Sequence, residues 1–265
     1  MSSVFSRQRG KGRPLVFLHG FPMHQGIWDE FTERFLNDYT IITVDLPGFG
    51  KSPLPAGDFS LGQVAEQLID FLTTHKVLDS VLIGHSLGGY VALAMVEKRP
   101  DLFSGLILFH STAVADSEER KESRNKVIEF VRKNGAESFT TNFIGPLFAD
   151  PQQADIERVK SIAATTGAAT VVGYAKAMRD RKEHIKTLIS YKKPTLFLAG
   201  DKDPGIPVAS LHEQAKGAKN AEIRVLAGVA HMGIVIAAAA RHQAGERRRH
   251  AAGLAARRHL PGQPA

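Results

Sequence analysis

The chain reads as an α/β protein, a mostly parallel sheet with helices on both faces and an inserted all-helical segment. Two patterns carry that reading. Short apolar runs alternate with helical periodicity in a βαβα rhythm, the signature of parallel strands joined by crossover helices. The rhythm then lapses between about residues 113 and 191, where no strand pattern occurs and several helical ones do. A chain of 265 residues can bury one substantial core with such an insertion.

The elements follow in order. A short strand near 4–8 is expected at an antiparallel edge, then strands at about 14–19, 39–45, 80–85, 104–110, 194–199 and 222–227. In 61–75, Val64, Leu68 and Leu72 fall on one helical face, widened by Ile69 and Phe71. A second helix-like stretch covers 90–97. In the insertion, Asp116 followed by Glu119 predicts a capping box opening a helix to Arg132, stopped by Asn134-Gly135. Further helical patterns occur at about 136–143, 152–165, 168–180 and 182–190. The organisation expected is a core from 1–112 and 192–236, a helical cap from 113–191, and an Ala/Arg-rich tail from 237–265. The cap is expected over the carboxyl edge of the sheet, where open α/β sheets bind ligands.

Composition narrows the chemistry. Apolar residues make up 43% and charged residues 23%, as in ordinary globular proteins. There is no cysteine, which removes disulfides, thiolate nucleophiles and cysteine-bound zinc. No apolar run approaches the roughly 20 residues of a membrane span, so no membrane association is expected and the cytoplasm is the expected location. The net charge of +7 is uneven, since six arginines against Glu246 give residues 241–265 a charge of +5 and leave +2 for the rest. No basic stripe crosses the body, and no nucleic-acid partner is expected. The tail also uses no lysine, whereas the first 240 residues use sixteen lysines and twelve arginines. A shifted reading frame in GC-rich coding sequence produces such a switch; a genuine basic tail is the alternative.

Gly84-His85-Ser86-Leu87-Gly88 lies between the apolar run Val81-Leu82-Ile83 and a helical pattern. A strand, a sharp turn and a helix in that order place a serine hydroxyl at the tip, with glycines where backbones approach closely. The Leu87 N–H then falls in the first helical turn, pointing to where an oxyanion would form. A serine hydroxyl is a weak nucleophile at neutral pH and needs a base, itself oriented by a carboxylate. Asp201 and Asp203 follow one late strand and His231 follows another, so serine, acid and histidine can converge above one sheet edge. Both aspartates remain candidates on this reading.

With these residues in hand, the chain resembles the α/β-hydrolase family over about residues 3–235. His19-Gly20-Phe21-Pro22 is similar to its oxyanion loop, and Asp45-Leu46-Pro47-Gly48-Phe49-Gly50-Lys51-Ser52 to its loop after the next strand. Gly84-His85-Ser86-Leu87-Gly88-Gly89 resembles its nucleophile elbow, and Gly200-Asp201-Lys202-Asp203 its acid turn. The resemblance implies Ser86 as nucleophile, His231 as base and Asp203 as orienting acid, with Asp201 structural or in reserve. It implies Phe21 N–H as a second oxyanion donor beside Leu87 N–H, with His19 bracing the loop and His85 turned away from Ser86. Met23, His24 and His110 are expected to line the substrate pocket, and Trp28 to pack. A closing amphipathic helix belongs to the family pattern but is not legible after Gly233. The activity implied is hydrolysis of carboxylic esters of small to medium apolar molecules through an acyl-enzyme. Within the same scaffold the alternatives are a lactonase of enol-lactone type or a cofactor-free perhydrolase or haloperoxidase; outside it, a ligand-binding module that retains the triad. No cofactor is expected and no metal, since the histidines are scattered without metal-site spacing.

Overall fold

A computed structural model of the chain describes residues 4–149 and 153–236. Seven strands form one sheet: β1 (Ser6–Gly10), β2 (Arg13–Leu18), β3 (Tyr39–Val44), β4 (Ser80–His85), β5 (Phe103–Phe109), β6 (Thr195–Gly200) and β7 (Ala221–Leu226). Their spatial order is β1-β3-β2-β4-β5-β6-β7. Only β1 runs antiparallel to its neighbour, from Ser6 opposite Val44 to Gly10 opposite Thr40. The central strands are covered on both faces, which is why they read as continuous apolar runs rather than alternating ones. Six strands lie within a residue of the sequence expectation. β1 lies two residues later than expected, because Ser-Arg-Gln-Arg-Gly has no apolar pattern and its position is set by pairing with β3. Arg7 and Arg9 on this edge strand are paired with Asp29 and Glu33, and charged side chains on an edge discourage further strand addition.

The helices are α1 (Asp29–Thr32, a single turn), α2 (Leu61–Thr74), α3 (Leu87–Lys98), α4 (Glu118–Ile144), α5 (Gln153–Ala163), α6 (Ala168–Arg179), α7 (Ile185–Ser190) and α8 (Val208–Lys216). Ser60 and Gln63 close a capping box at the start of α2, which buries Leu61, Val64, Leu68 and Leu72 against the sheet and α3. α3 is buried almost all round, from Leu87 to Val96, because it is wedged between the sheet and α2. The opposite face of the sheet packs Phe17, Ile41, Ile83 and Phe109 against Trp28 and Met23. The short helix α8, between β6 and β7, has no counterpart in the periodicities read from the sequence.

Helices α4 to α7 lie between β5 and β6 in the chain and sit on the loops that leave the sheet. Three cap side chains donate to loop carbonyls at 2.8 Å: Thr166 to Pro22, Thr170 to Gly48 and Tyr174 to Pro47. Tyr174 also packs on Phe49, with ring centroids 4.6 Å apart. Two helix boundaries correct the sequence reading. Ser117, not Asp116, caps α4 by accepting from the Arg120 N–H, because Asp116 is drawn into the interior by three arginines. The last cap helix starts at Ile185 rather than 182, since Arg181 is buried and the His184 N–H is spent on Ala113 O at 2.7 Å. Asn134-Gly135 does interrupt α4, with Gly135 at φ 82° and ψ 168°. Among the described residues no helix is long and apolar enough to cross a membrane. The readings of 237–265, as a tail, a frameshifted end or a closing helix, fall outside the described residues.

Candidate active site

Ser86 sits between β4 and α3 at φ 50° and ψ −114°, a left-handed backbone that only a tightly held turn sustains in a residue with a side chain. The hold is visible on both sides: Ser86 N–H donates to Phe109 O at 3.0 Å, and Ser111 Oγ donates to Ser86 O at 2.8 Å. A Cβ on Gly84 would lie 2.4 Å from Gly88 O, so the strand and helix backbones touch there. A Cβ on Gly88 would instead meet Leu18 O of β2 at 2.3 Å. The two glycines therefore serve different contacts, one within the elbow and one to the neighbouring strand.

Asp203 follows β6 and is fully engaged. Its Oδ1 accepts from the N–H groups of Gly205 and Ile206 at 2.9 and 3.1 Å. Its Oδ2 accepts from His231 Nδ1 at 2.7 Å and from His110 Nδ1 at 3.1 Å. Burial alone would raise this carboxyl, but the hydrogen bonds from His110 and His231 outweigh it and hold the group well below the usual carboxylate range. Asp201 does not join them. It is exposed, and its Oδ1 accepts from Gly228 N–H at 2.7 Å, bracing the turn after β7.

His231 presents Nδ1–H to Asp203, which leaves Nε2 as the lone-pair nitrogen. Its loop is fixed from below: His85 Nε2–H donates to His231 O at 3.0 Å, and a Cβ on Gly200 would lie 2.1 Å from Val229 O. The buried His85 ring is held neutral, well below the usual histidine range, by burial first and then by His231 and His110. Burial likewise lowers His19 to about 4. Neutral His19 accepts from Leu46 N–H through Nε2 and donates Nδ1–H to Gly20 O, both at 3.0 Å, so it braces the loop leading to Phe21. The N–H groups of Phe21 and Leu87 are engaged by no acceptor among the described residues.

A cavity of about 190 Å³ joins Ser86 and His231. The core contributes Phe21 and Tyr90 to its wall, and the cap contributes Arg120, Arg124, Phe143, Leu147 and Met178. Ser86 makes no hydrogen bond to His231 among the described residues, and such contacts commonly tighten only on substrate binding. The three expected pocket residues lie elsewhere. Met23 is wholly buried on the far face of the sheet beside Trp28. His24 accepts from Gly26 N–H and borders a separate surface cavity with Arg7 and Asp45. His110 is wholly buried and turned onto Asp203, its ring kept lowered from the usual histidine range chiefly by burial. A position after a strand does not determine side-chain direction, and each of these side chains points into the core or along the loop. Arg120 and Arg124 are the residues that sequence reasoning missed; their spacing of four on one helix face was the available signal.

A larger cavity of about 460 Å³ opens between α2, α3 and α6, away from Ser86. Its cations are matched by carboxylates, including Lys98 with Glu66 and Lys176 with Asp58. Among the described residues, His110, Asp203 and His231 group as conceivable metal ligands. Asp203 Oδ2 already accepts from the Nδ1 atoms of both histidines.

Comparison with known proteins bears on the fold. The family model described as the alpha/beta hydrolase family matches residues 15–243. The AB hydrolase superfamily protein YisY of Bacillus subtilis is 25% identical over 86% of this chain and 88% of its own length. The pimeloyl-[acyl-carrier protein] methyl ester esterase of Aeromonas salmonicida is 38% identical, but the match spans only 42% of each chain. Among solved structures, a thermophilic esterase from Thermogutta terrifontis, with malate bound, superposes with a TM-score of 0.83 at 27% identity, covering 92% of this chain and 93% of that one. With most of its length matched by one family model, and the sheet and helices of that fold in place, the chain belongs to the alpha/beta hydrolase family.

Proposed function

We propose that the chain is a serine hydrolase that cleaves carboxylic esters through a covalent acyl-enzyme. The observation that carries the reading is the 2.7 Å hydrogen bond that His231 Nδ1 donates to Asp203 Oδ2, in a cavity shared with Ser86 at the elbow. His231 Nε2 takes the Ser86 proton as Oγ bonds to the ester carbonyl carbon. The carbonyl oxygen gains charge facing the N–H groups of Phe21 and Leu87. Held donors of this kind need no reorganisation, and losing one typically costs about 3 kcal/mol of barrier lowering. As the tetrahedral centre collapses, the ester C–O bond breaks and His231 passes its proton to the departing alkoxide. Water, deprotonated by the same nitrogen, then attacks the acyl carbon and returns the serine.

Neutral His85 and His110 support this cycle without sharing in proton transfer. His85 fixes the backbone of His231, and His110 doubles the donors on Asp203 Oδ2, so the carboxylate stays ionised and in one orientation. The cavity is smaller than the usual 300–1,000 Å³ of small-molecule sites, which favours short substrates. The test is labelling with a fluorophosphonate, followed by peptide mapping, beside turnover of short esters by Ser86→Ala. One phosphonyl group on Ser86 and loss of hydrolysis in the variant are expected. Labelling elsewhere, or activity surviving the substitution, would remove the assignment.

A further inference from the structure

We propose that the substrate of this site carries a carboxylate a few atoms from its ester carbonyl, received by Arg124 together with Arg120. The inference rests on the serine-hydrolase reading and deepens it. Both guanidinium side chains line the cavity that contains Ser86 and His231. They stand four residues apart in the first turns of α4 and so share a helix face.

Three arginines surround the single buried carboxylate of Asp116. Arg181 Nη1 lies 2.7 Å from it, Arg124 Nε 3.2 Å and Arg120 Nε 3.5 Å. Arg181 comes nearest to Asp116 and is fixed in the interior, since it is itself buried, donates to Met178 O and Val114 O, and stacks 4.0 Å over the Tyr90 ring. Three cations stand against the carboxylates of Asp116 and Asp203, and the donors on Asp203 are neutral, so one positive charge is left over at the cavity. Arg120 spends one Nη on the uncharged carbonyl of Gly205 at 2.7 Å. Arg124 touches Asp116 only through Nε, and its Nη groups make no hydrogen bond among the described residues. Asp203, the carboxylate in the cavity wall, has both oxygens occupied by imidazole and backbone donors.

The remaining wall is apolar, from Phe21, Phe143, Leu147 and Met178. A neutral acyl chain would fill it but leave that positive charge unanswered, whereas a carboxylate matches a guanidinium fork, such as the free Nη pair of Arg124, through two parallel hydrogen bonds. The cavity of about 190 Å³ sets the distance, leaving room for only a short link between carboxylate and ester. The rival view is that the two arginines merely hold the start of α4 to the acid turn. It predicts a change in stability and no change in selectivity.

Two matched ester pairs separate these views and locate the charge. Monomethyl glutarate, with its carboxylate on the acyl side, is compared with the ester in which an isopropyl group replaces that carboxylate. Butyryl glycolate, with its carboxylate on the alcohol side, is compared with isobutyl butyrate. The quantity read is the ratio of kcat/KM, charged over uncharged, in the unmodified chain and in Arg124→Met, Arg124→Lys and Arg120→Met. A ratio of about ten or more is expected in one pair, and that pair identifies the side. Arg124→Met should lower the ratio roughly ten- to hundredfold, and Arg124→Lys by less. Calorimetric titration of glutarate into Ser86→Ala gives a readout that needs neither turnover nor a substituted arginine, and saturable binding competing with the glutarate ester is expected. A preference for the uncharged ester in both pairs, ratios unmoved by the arginine substitutions, or no glutarate binding overturns the proposal. Absence of hydrolysis of all four esters, with glutarate still bound, instead removes the serine-hydrolase reading and leaves the anion site standing.

Discussion

The two halves of the site are built differently. On the sheet side the holding contacts end on backbone groups: Ser86 N–H donates to Phe109 O, Ser86 O accepts from Ser111 Oγ, Asp203 Oδ1 accepts from two N–H groups, and His231 O accepts from His85. On the cap side, Arg120 and Arg124 reach the cavity from a helix broken at Gly135 and tied down largely by side chains. Backbone-fixed groups can be placed to the tolerance that chemistry needs, whereas side chains on a separate layer can be exchanged without disturbing the sheet. On the proposed reading, reaction type resides in the sheet loops and substrate choice in the cap.

The largest effect is expected at the acid. Asp203→Asn should lower kcat by up to about four orders of magnitude, because an amide can hold the imidazole in the wrong tautomer. Asp201→Asn should cost less than tenfold, since that side chain serves Gly228 N–H and not His231. Steady-state kinetics on one neutral ester ranks the two, and the reverse order would move the acid to Asp201. Next comes His110, whose left-handed φ of 48° suits asparagine and whose Nδ1 donor an asparagine amide can replace. His110→Asn should therefore keep kcat within about tenfold, while His110→Leu should lose a further roughly ten- to hundredfold. In the leucine variant Asp203 loses a donor, its depressed pKa rises, and the acid limb of the rate profile moves to higher pH. A profile unmoved by the leucine would reduce His110 to packing.

Stability should respond to pH through the buried histidines. His19 is lowered to about 4 in the folded chain against about 6.5 unfolded. Above pH 6.5 both states are neutral there and nothing is lost. As pH falls from 6.5 towards 4, the unfolded chain takes a proton that the folded chain refuses, so stability drops. The loss approaches roughly 3 kcal/mol from this group alone, and His85 and His110 add to it with the same sign. Urea unfolding at several pH values measures the slope, and a flat profile between pH 6.5 and 4 would contradict the neutral, buried imidazoles.

The smallest effect is expected in the cap. A Cβ on Gly135 meets nothing within 4 Å, so Gly135→Ala carries only the backbone penalty of φ 82°. With ψ at 168° that penalty is about 1–3 kcal/mol, or a fall in Tm of several degrees for a chain this size. Turnover of a small neutral ester should change less than about twofold. A large loss of turnover would show that cap and sheet are coupled more tightly than their construction suggests.

Much of this was legible beforehand, for identifiable reasons. The strands were readable because both faces of a parallel sheet are covered, so apolar runs such as Val81-Leu82-Ile83 stand out from their surroundings. The elbow was readable because close backbone approach admits only glycine at Gly84 and Gly88. The edge strand β1 and helix α8 were less legible, since neither carries a strong periodicity of its own. By itself the sequence determined the order of elements, the turn that exposes Ser86, and the loops on which Asp203 and His231 would stand. Residue pattern leaves both aspartates open and family resemblance points to Asp203; tertiary structure alone decided that His110 turns onto that same carboxylate instead of into the pocket, and that Asp116 leaves its expected cap position for three arginines. These choices depend on direction and burial across segments up to roughly a hundred residues apart, such as His110 and Asp203. Local pattern fixes where a residue lies along its own strand or helix, but the partner that satisfies a buried charge is chosen only when distant segments close on it.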